Sequence, residues 1–292
     1  MSSSAAVAVE LLRIALASGD HARLREAARL AIEELAPSSL SSLTVLTPAQ
    51  LVAKIAARDN HLRIVVASGS ESGKTVLVSA LVRALKDAKM VKVVCALTSD
   101  QAGAEEMFGS LLTAGCNIRW SEAELERILA ERAKIKAEGM KNPPTLIILD
   151  DLAGEKDAKN SAAINALYTR GRHFELIPAF LNQVANTELS PKVRDNSNLI
   201  FFSRLSKPGV KILYNSFSGM RPPMSEKEFE AWVHELPDFT FGVYDRIGRS
   251  LSRVRAAKPV RAAAGGAGAA PDAPVVALSE ALKGVALDDD DL

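Results

Sequence analysis

The segment Ser68-Gly69-Ser70-Glu71-Ser72-Gly73-Lys74-Thr75 restricts what this chain can fold into more than any other. It follows a short β-branched run at 63–67 and precedes an apolar-periodic stretch that predicts a helix to about Ala88. Two glycines, a lysine and a hydroxyl residue between a strand and a helix are what a loop needs to wrap backbone N–H groups around phosphates. Ser68 to Thr75 are therefore the expected phosphate-binding residues (a Walker A loop). Lys74 would reach the β- and γ-phosphates of ATP, and the Thr75 hydroxyl would ligate its Mg2+. Two departures accompany the motif. Ser68 stands where a first glycine is usual, and Glu71 brings a carboxylate into an anion-binding loop, so its side chain must point outward.

A second motif, Leu146-Ile147-Ile148-Leu149-Asp150-Asp151, reads as the Walker B partner. Four apolar residues ending in an acidic pair predict a buried strand that delivers carboxylates to the C-terminal edge of a sheet, where ligands bind in open α/β folds. Asp150 is expected to hold the magnesium shell through water. Asp151 is expected to polarise the attacking water, although glutamate is commoner in that role. Further apolar runs at 91–97, 176–181 and 198–202 alternate with helical patterns at 101–114, 122–136 and 158–172. Strands apolar throughout, alternating with helices, indicate an α/β fold with a mainly parallel sheet between helices. A helix at 226–235 and an aromatic strand at 239–244 follow.

The chain, 292 residues with 24% charged, is long enough for one large α/β domain with extensions or for two small domains. No apolar run approaches the roughly 18 residues that cross a bilayer, and no secretory signal opens the sequence. Cys95 and Cys116 offer neither metal spacing nor a disulfide framework and are read as reduced, buried residues of a non-secreted protein. The net charge of +1 combines a tail from Lys258 onward at −3 with +4 elsewhere, too weak by itself to announce nucleic-acid binding. DNA contact would need a local patch or surfaces gathered in an oligomer.

Three regions are expected. Residues 1–57 form an N-terminal helical region, with two helices over 5–35 interrupted at Ser18-Gly19-Asp20, a Ser-rich link at 38–42 and a helix from Thr47 with Pro48 in its first turn. Residues 58–256 form the phosphate-loop domain. Residues 257–292 are an Ala/Gly/Pro-rich tail with one amphipathic segment, 276–287, and the acidic end Asp288 to Asp291; it either solubilises or docks on a capsid or nuclease partner. The charged stretch 122–136 is most simply a solvated face, with a subunit contact as the alternative. Trp120 and Trp232 are read as packing residues rather than base-stacking platforms.

A third constellation separates phosphate-loop families. Asn182-Gln183 ends the fourth strand with a polar pair, Arg170-Gly171-Arg172-His173 lies upstream, and Pro191-Lys192-Val193-Arg194-Asp195-Asn196 follows. With 69–75, 146–151, Ile200-Phe201-Phe202, the strand 239–245 and Arg253-Val254-Arg255-Ala256, this order resembles the DNA-packaging ATPases of large eukaryotic DNA viruses, the poxvirus-type branch of the FtsK–HerA superfamily. The resemblance covers about 61–256. It implies an additional-strand (ASCE, RecA/FtsK–HerA-like) P-loop NTPase fold, ATP hydrolysis coupled to movement of double-stranded DNA into a capsid, and a ring, most simply a hexamer. It implies that Gln183 senses the γ-phosphate or attacking water and that Arg194 is the finger reaching a neighbour's ATP, with Arg170, Arg172 and Arg204 as competitors. It also implies a virion or a viral assembly site inside the host cell. Locally, Gln183 has the alternative of a backbone partner and Arg194 that of pairing with Asp195 or Glu188; His173 reads as a packing or hydrogen-bonding residue. Competing readings are a cellular-type translocase, another nucleotide enzyme such as a small-molecule kinase, and an ATP-binding assembly protein with little turnover. The kinase lacks an arginine-rich lid in the sequence, and a GTPase lacks an Asn/Thr-Lys-x-Asp motif.

Overall fold

The computed structural model describes residues 43–58, 61–69, 71–152, 154–155, 158, 160–182, 190–217 and 219–257. The two helices expected over 5–35, the link at 38–42, Ser70, Gln183, Glu188 and the tail from 258 lie outside the described residues. The chain divides into two units, 1–44 and 45–292. The second holds both phosphate motifs.

Nine strands among the described residues form one sheet: β1 (Val45–Leu46), β2 (Ile64–Ser68), β3 (Val93–Thr98), β4 (Asn117–Arg119), β5 (Thr145–Asp150), β6 (Leu176–Asn182), β7 (Leu199–Ser203), β8 (Thr240–Asp245) and β9 (Ser250–Arg255). Their order is β1-β9-β8-β7-β2-β6-β5-β3-β4, and the two pairings that β8 makes, with β7 and β9, are antiparallel while the other six are parallel. β6 stands between β2, which leads into the phosphate loop, and β5, which carries Asp150. One strand inserted between those two is the additional-strand arrangement, so the α/β P-loop NTPase fold expected from the sequence is the fold observed.

The local reasons are plain. β2, Ile-Val-Val-Ala-Ser, is buried along its whole length, as a central parallel strand covered on both faces must be. α2 (Lys74–Asp87) turns Leu77, Val78, Leu81, Val82 and Leu85 inward at helical spacing. α1 (Pro48–Ala56) starts on a capping box formed by Thr47 and Gln50 and joins the same core. The other face is tied together by Tyr168 of α5 (Ala162–Arg170), whose hydroxyl donates to the Ile64 carbonyl and accepts from Phe180 N–H, linking β2 to β6. Burial raises the Tyr168 phenol far above its ordinary range, so it remains a neutral donor. Behind β7 and β8, α7 (Lys207–Ser216) and α8 (Glu226–His234) enclose an aromatic group in which Phe202 meets Trp232 at 5.6 Å and Phe229 at 5.4 Å between ring centroids. Trp232 is fully buried there and Trp120 is buried too, as packing residues would be; Cys95 and Cys116 are buried free thiols.

Several expectations need correction. The helix expected over 101–114 is α3 (Gln101–Phe108) and stops at Phe108. The chain beyond returns along β3, where Thr113 Oγ1 accepts from Val94 N–H, before forming β4. The helix expected from Ala158 begins at Ala162, capped by Ser161, and 171–174 is a tighter 3-10 turn. α4 (Glu122–Ala137) is more than a solvated face. Its Arg132 is fully buried and donates to Asn142 Oδ1, the Pro143 carbonyl and Thr145 Oγ1, while Glu122 Oε1 accepts from Ser161 Oγ and Ala163 N–H. The segment 45–57, grouped from the sequence with the N-terminal helices, supplies β1 and α1 to the sheet unit.

Candidate nucleotide-binding site

The loop leaves β2 at the sheet edge where the parallel strands end, and each glycine the structure describes there is required by what lies against it. A β-carbon at Gly69 would come within 2.9 Å of the Arg204 carbonyl oxygen. Gly73 has φ +89°, and a β-carbon there would lie 2.6 Å from Phe239 Cδ1. Ser68, in place of the usual glycine, is accommodated: it is fully buried and its Oγ accepts from Ser72 Oγ at 2.8 Å. Glu71 is exposed with φ 56°, consistent with the outward orientation its charge demands.

Lys74 Nζ donates to the Ser68 carbonyl at 3.1 Å, so the cation lies across the loop it would share with phosphates. Thr75 Oγ1 donates to Met107 Sδ at 3.2 Å. A thioether is a weak acceptor, and the hydroxyl loses little on exchanging it for a better partner.

On the other side of β6, β5 ends at Asp150. Its carboxyl is pushed up to about 6, chiefly by burial and secondarily by Asp151 and Asp100, while the Asp151 N–H donated to its Oδ1 at 3.0 Å and the nearby Lys74 pull the other way. The poorly solvated Asp150 carboxyl and the Thr75 hydroxyl at the start of α2 are both hard oxygen ligands of the kind Mg2+ takes, a few protein oxygens with phosphate and water completing its shell. The residues present thus fit the ion. Asp151 adopts φ 53°, and its side chain accepts from Ser99 Oγ at 3.0 Å while its carbonyl accepts from the same hydroxyl at 2.6 Å.

The remaining candidates fall on two edges. β6 pairs with β2 up to Ala67↔Asn182, so Asn182 stands level with the start of the loop; Gln183, the next residue, lies outside the described residues. Arg204, one residue after β7, is at the loop: it donates to the Glu71 carbonyl at 3.4 Å and pairs with Asp238. Arg194 is on the far edge. It sits in α6 (Pro191–Asn196), just before Asn198 N–H meets the Arg63 carbonyl at the beginning of β2, about 13 Å along the strand from the loop. Its Nε pairs with Asp195 at 3.5 Å, the local alternative read from the sequence, and its carbonyl accepts from Arg246. Arg170 and Arg172 precede β6 and share that edge, where His173 offers its carbonyl to Lys136. Burial, then Arg172 and Arg246, hold the Arg63 guanidinium below its usual value.

Sequence reasoning missed Ser99, Asp100, Met107, Asp238 and Phe239 as site neighbours. Only Ser99-Asp100, a polar pair ending an apolar run, carried a local signal.

A loop-bearing strand, an acidic strand two positions away across β6 and a lysine near both make a geometry into which nucleotide phosphates would fit. No protein-family model matches the chain. The uncharacterized protein 015R of Frog virus 3 is 29% identical over 147 residues, 49% of this chain and 44% of that protein. The uncharacterized protein 088R of Invertebrate iridescent virus 3 is 30% identical over 111 residues, 37% of this chain and 41% of that protein. The matched stretch is less than half the length of either viral relative. Among solved structures, the genome-packaging NTPase B204 of Sulfolobus turreted icosahedral virus 2, in complex with AMPPCP, superposes with a TM-score of 0.49 at 17% identity over 66% of this chain and 96% of its own. The cytoplasmic domain of the Thermomonospora curvata Type VII secretion ATPase EccC gives 0.49 at 14% identity over 70% of this chain and 26% of its own. No helix among the described residues is long and apolar enough to cross a membrane.

Proposed function

We propose that this chain hydrolyses ATP at the loop Ser68–Thr75 and couples hydrolysis to movement of double-stranded DNA, as a viral genome-packaging ATPase of the poxvirus-type FtsK–HerA branch would. The observation that carries the reading is the pairing of a glycine-dependent loop at the end of β2 with a desolvated carboxylate at the end of β5, with only β6 between them. The viral setting, in a virion or at an assembly site in the host cell, is supported by two viral relatives, and the packaging role by the order of motifs through Gln183 and Arg194.

The chemistry assigns each side chain a task. Loop N–H groups and the start of α2 hold the phosphates. Lys74 exchanges the Ser68 carbonyl for the β- and γ-phosphates, and Thr75 exchanges Met107 for the ion. Mg2+, when bound, neutralises charge on the transferring phosphoryl group. Asp150 holds the ion's water shell as a carboxylate. Asp151, steadied by Ser99, and Gln183, following Asn182 beside the loop, orient the attacking water. Arg194 and its neighbours on the far edge serve an adjoining copy's site, which requires a ring, read as a hexamer, with Arg204 the competing finger. Capsid or nuclease contacts fall to the tail.

Steady-state ATP hydrolysis with and without double-stranded DNA, for wild type, Arg194→Ala and mixtures of the two, tests this. DNA stimulation, with mixtures below the average of their components, is expected. Turnover indifferent to DNA and to Arg194 would leave the phosphate chemistry and remove the translocase; binding without turnover would favour the assembly-protein reading.

A further inference from the structure

The flank of the loop away from Asp150 is closed by a turn that the phosphate chemistry does not use. Pro237-Asp238-Phe239 leads into β8, whose start lies beside the end of β7 in the antiparallel pair Phe202↔Gly242. The turn is held at both ends: Thr240 N–H donates to the Pro237 carbonyl at 3.0 Å, and Ala256 N–H to the Phe239 carbonyl at 2.9 Å. Within it Phe239 has φ 57°, a conformation that costs a bulky residue free energy and persists where surrounding structure enforces it. Its ring is set against Gly73 at the first turn of α2 and stays half-buried, unlike the core aromatics Phe202 and Phe229. Asp238 holds Arg204, whose guanidinium also reaches the Glu71 carbonyl.

We propose that Phe239 is the platform on which the base of the bound nucleotide stacks, with the Asp238–Arg204 pair fixing the turn that presents it. The proposal rests on the nucleotide reading of the loop. Asp150 ends a strand two positions from β2 on one side, and Phe239 immediately precedes a strand two positions from β2 on the other. The metal and γ-phosphate belong at the Asp150 end, whose carboxyl feels the Lys74 ammonium, so the chain of phosphates leads the base towards the opposite flank. A strained, half-exposed aromatic ring touching the loop glycine there supplies a π-face of the kind that stacks on any base, and its rigid turn spares the ligand the ordering of a flexible side chain. The alternative is that Phe239 only wedges Gly73 into its left-handed conformation.

The two ideas separate on a ligand without a base. Binding of Mg-ATP and of Mg-tripolyphosphate to the full chain is measured by calorimetry for wild type, Phe239→Ala and Phe239→Trp. A stacking platform predicts that Phe239→Ala weakens ATP about tenfold or more and leaves tripolyphosphate within about twofold. It further predicts that Phe239→Trp binds ATP near wild-type strength, with fluorescence altered by ATP and not by tripolyphosphate. Equal weakening of both ligands, or of neither, would overturn the proposal, as would a Phe239→Trp signal blind to ATP. Wild type that binds neither ligand would instead overturn the nucleotide reading itself.

Discussion

Asp150 tests the electrostatics of the site without any knowledge of substrate. The carboxyl is pushed from 3.8 to about 6, mainly by burial, so the folded state prefers it protonated. The folded chain therefore binds more protons than the unfolded chain between pH 4 and 6. The stability tied to this group is fully present below the unfolded value and is lost as pH rises through 6. Two units correspond to about 3 kcal/mol, and the part-exposed position at the strand end brings the expectation to about 2–3 kcal/mol. Asparagine has nearly the same shape, still accepts the Asp151 N–H, and does not titrate. Without magnesium or nucleotide, Asp150→Asn should match wild type within about 1 kcal/mol at pH 4 and exceed it by about 2–3 kcal/mol at pH 8. Urea unfolding in chelator at pH 4, 6 and 8 measures the difference, and whole-protein charge effects cancel between the two chains. Addition of Mg-ATP at pH 8 should then stabilise wild type and leave the variant unmoved. A difference that is flat with pH, or a variant less stable than wild type at pH 8, would refute the assignment of Asp150 as a carboxylate desolvated for a cation.

Other substitutions probe separate links. Gly73→Ala combines φ +89° with a collision against Phe239 and should cost about 1–3 kcal/mol while abolishing ATP binding; calorimetric titration showing wild-type affinity would contradict the loop geometry. Trp232→Ala empties the centre of the aromatic group behind β7 and should lower stability by about 3–5 kcal/mol in urea unfolding, and a loss under 1 kcal/mol would show that this packing contributes little. Arg194→Ala, far from its own loop, should leave ATP affinity unchanged while reducing turnover at least tenfold; a change in affinity with turnover intact would place this arginine in a different role.

The turn at 68–74 between strand and helix, and the strand that ends in Asp150, were legible in the sequence because each is a local device: a few consecutive residues carry both the candidate chemistry and the flanking strand or helix that aims it. The layered sheet was legible for a similar reason, since strands buried on both faces read as unbroken apolar runs. What escaped depends on distant partners. Arg204 and Phe239 reach the loop from more than 130 residues downstream, because β7 and the antiparallel β8 return to its side of the sheet. Arg132 looked like one more solvated cation in α4 until the Asn142-Pro143 turn and Thr145 were seen to bind its guanidinium. Beyond Phe108, Leu111 and Leu112 keep a helical spacing from it while packing as part of a turn, so the end of the helix is not visible in the pattern. The resemblance placed Arg194 among finger candidates; its position on the edge opposite the loop follows from α6 standing just before β7, which runs parallel to β2.

Phosphate release from Mg-ATP by wild type and by Lys74→Ala, at equal concentration with both chains shown folded, tests the central claim most directly. The account predicts turnover by wild type and loss of at least a hundredfold in the variant, since the only lysine in the loop would hold the transferring phosphates. Equal rates in the two chains, or none in either, would contradict an ATPase centred on Ser68–Thr75.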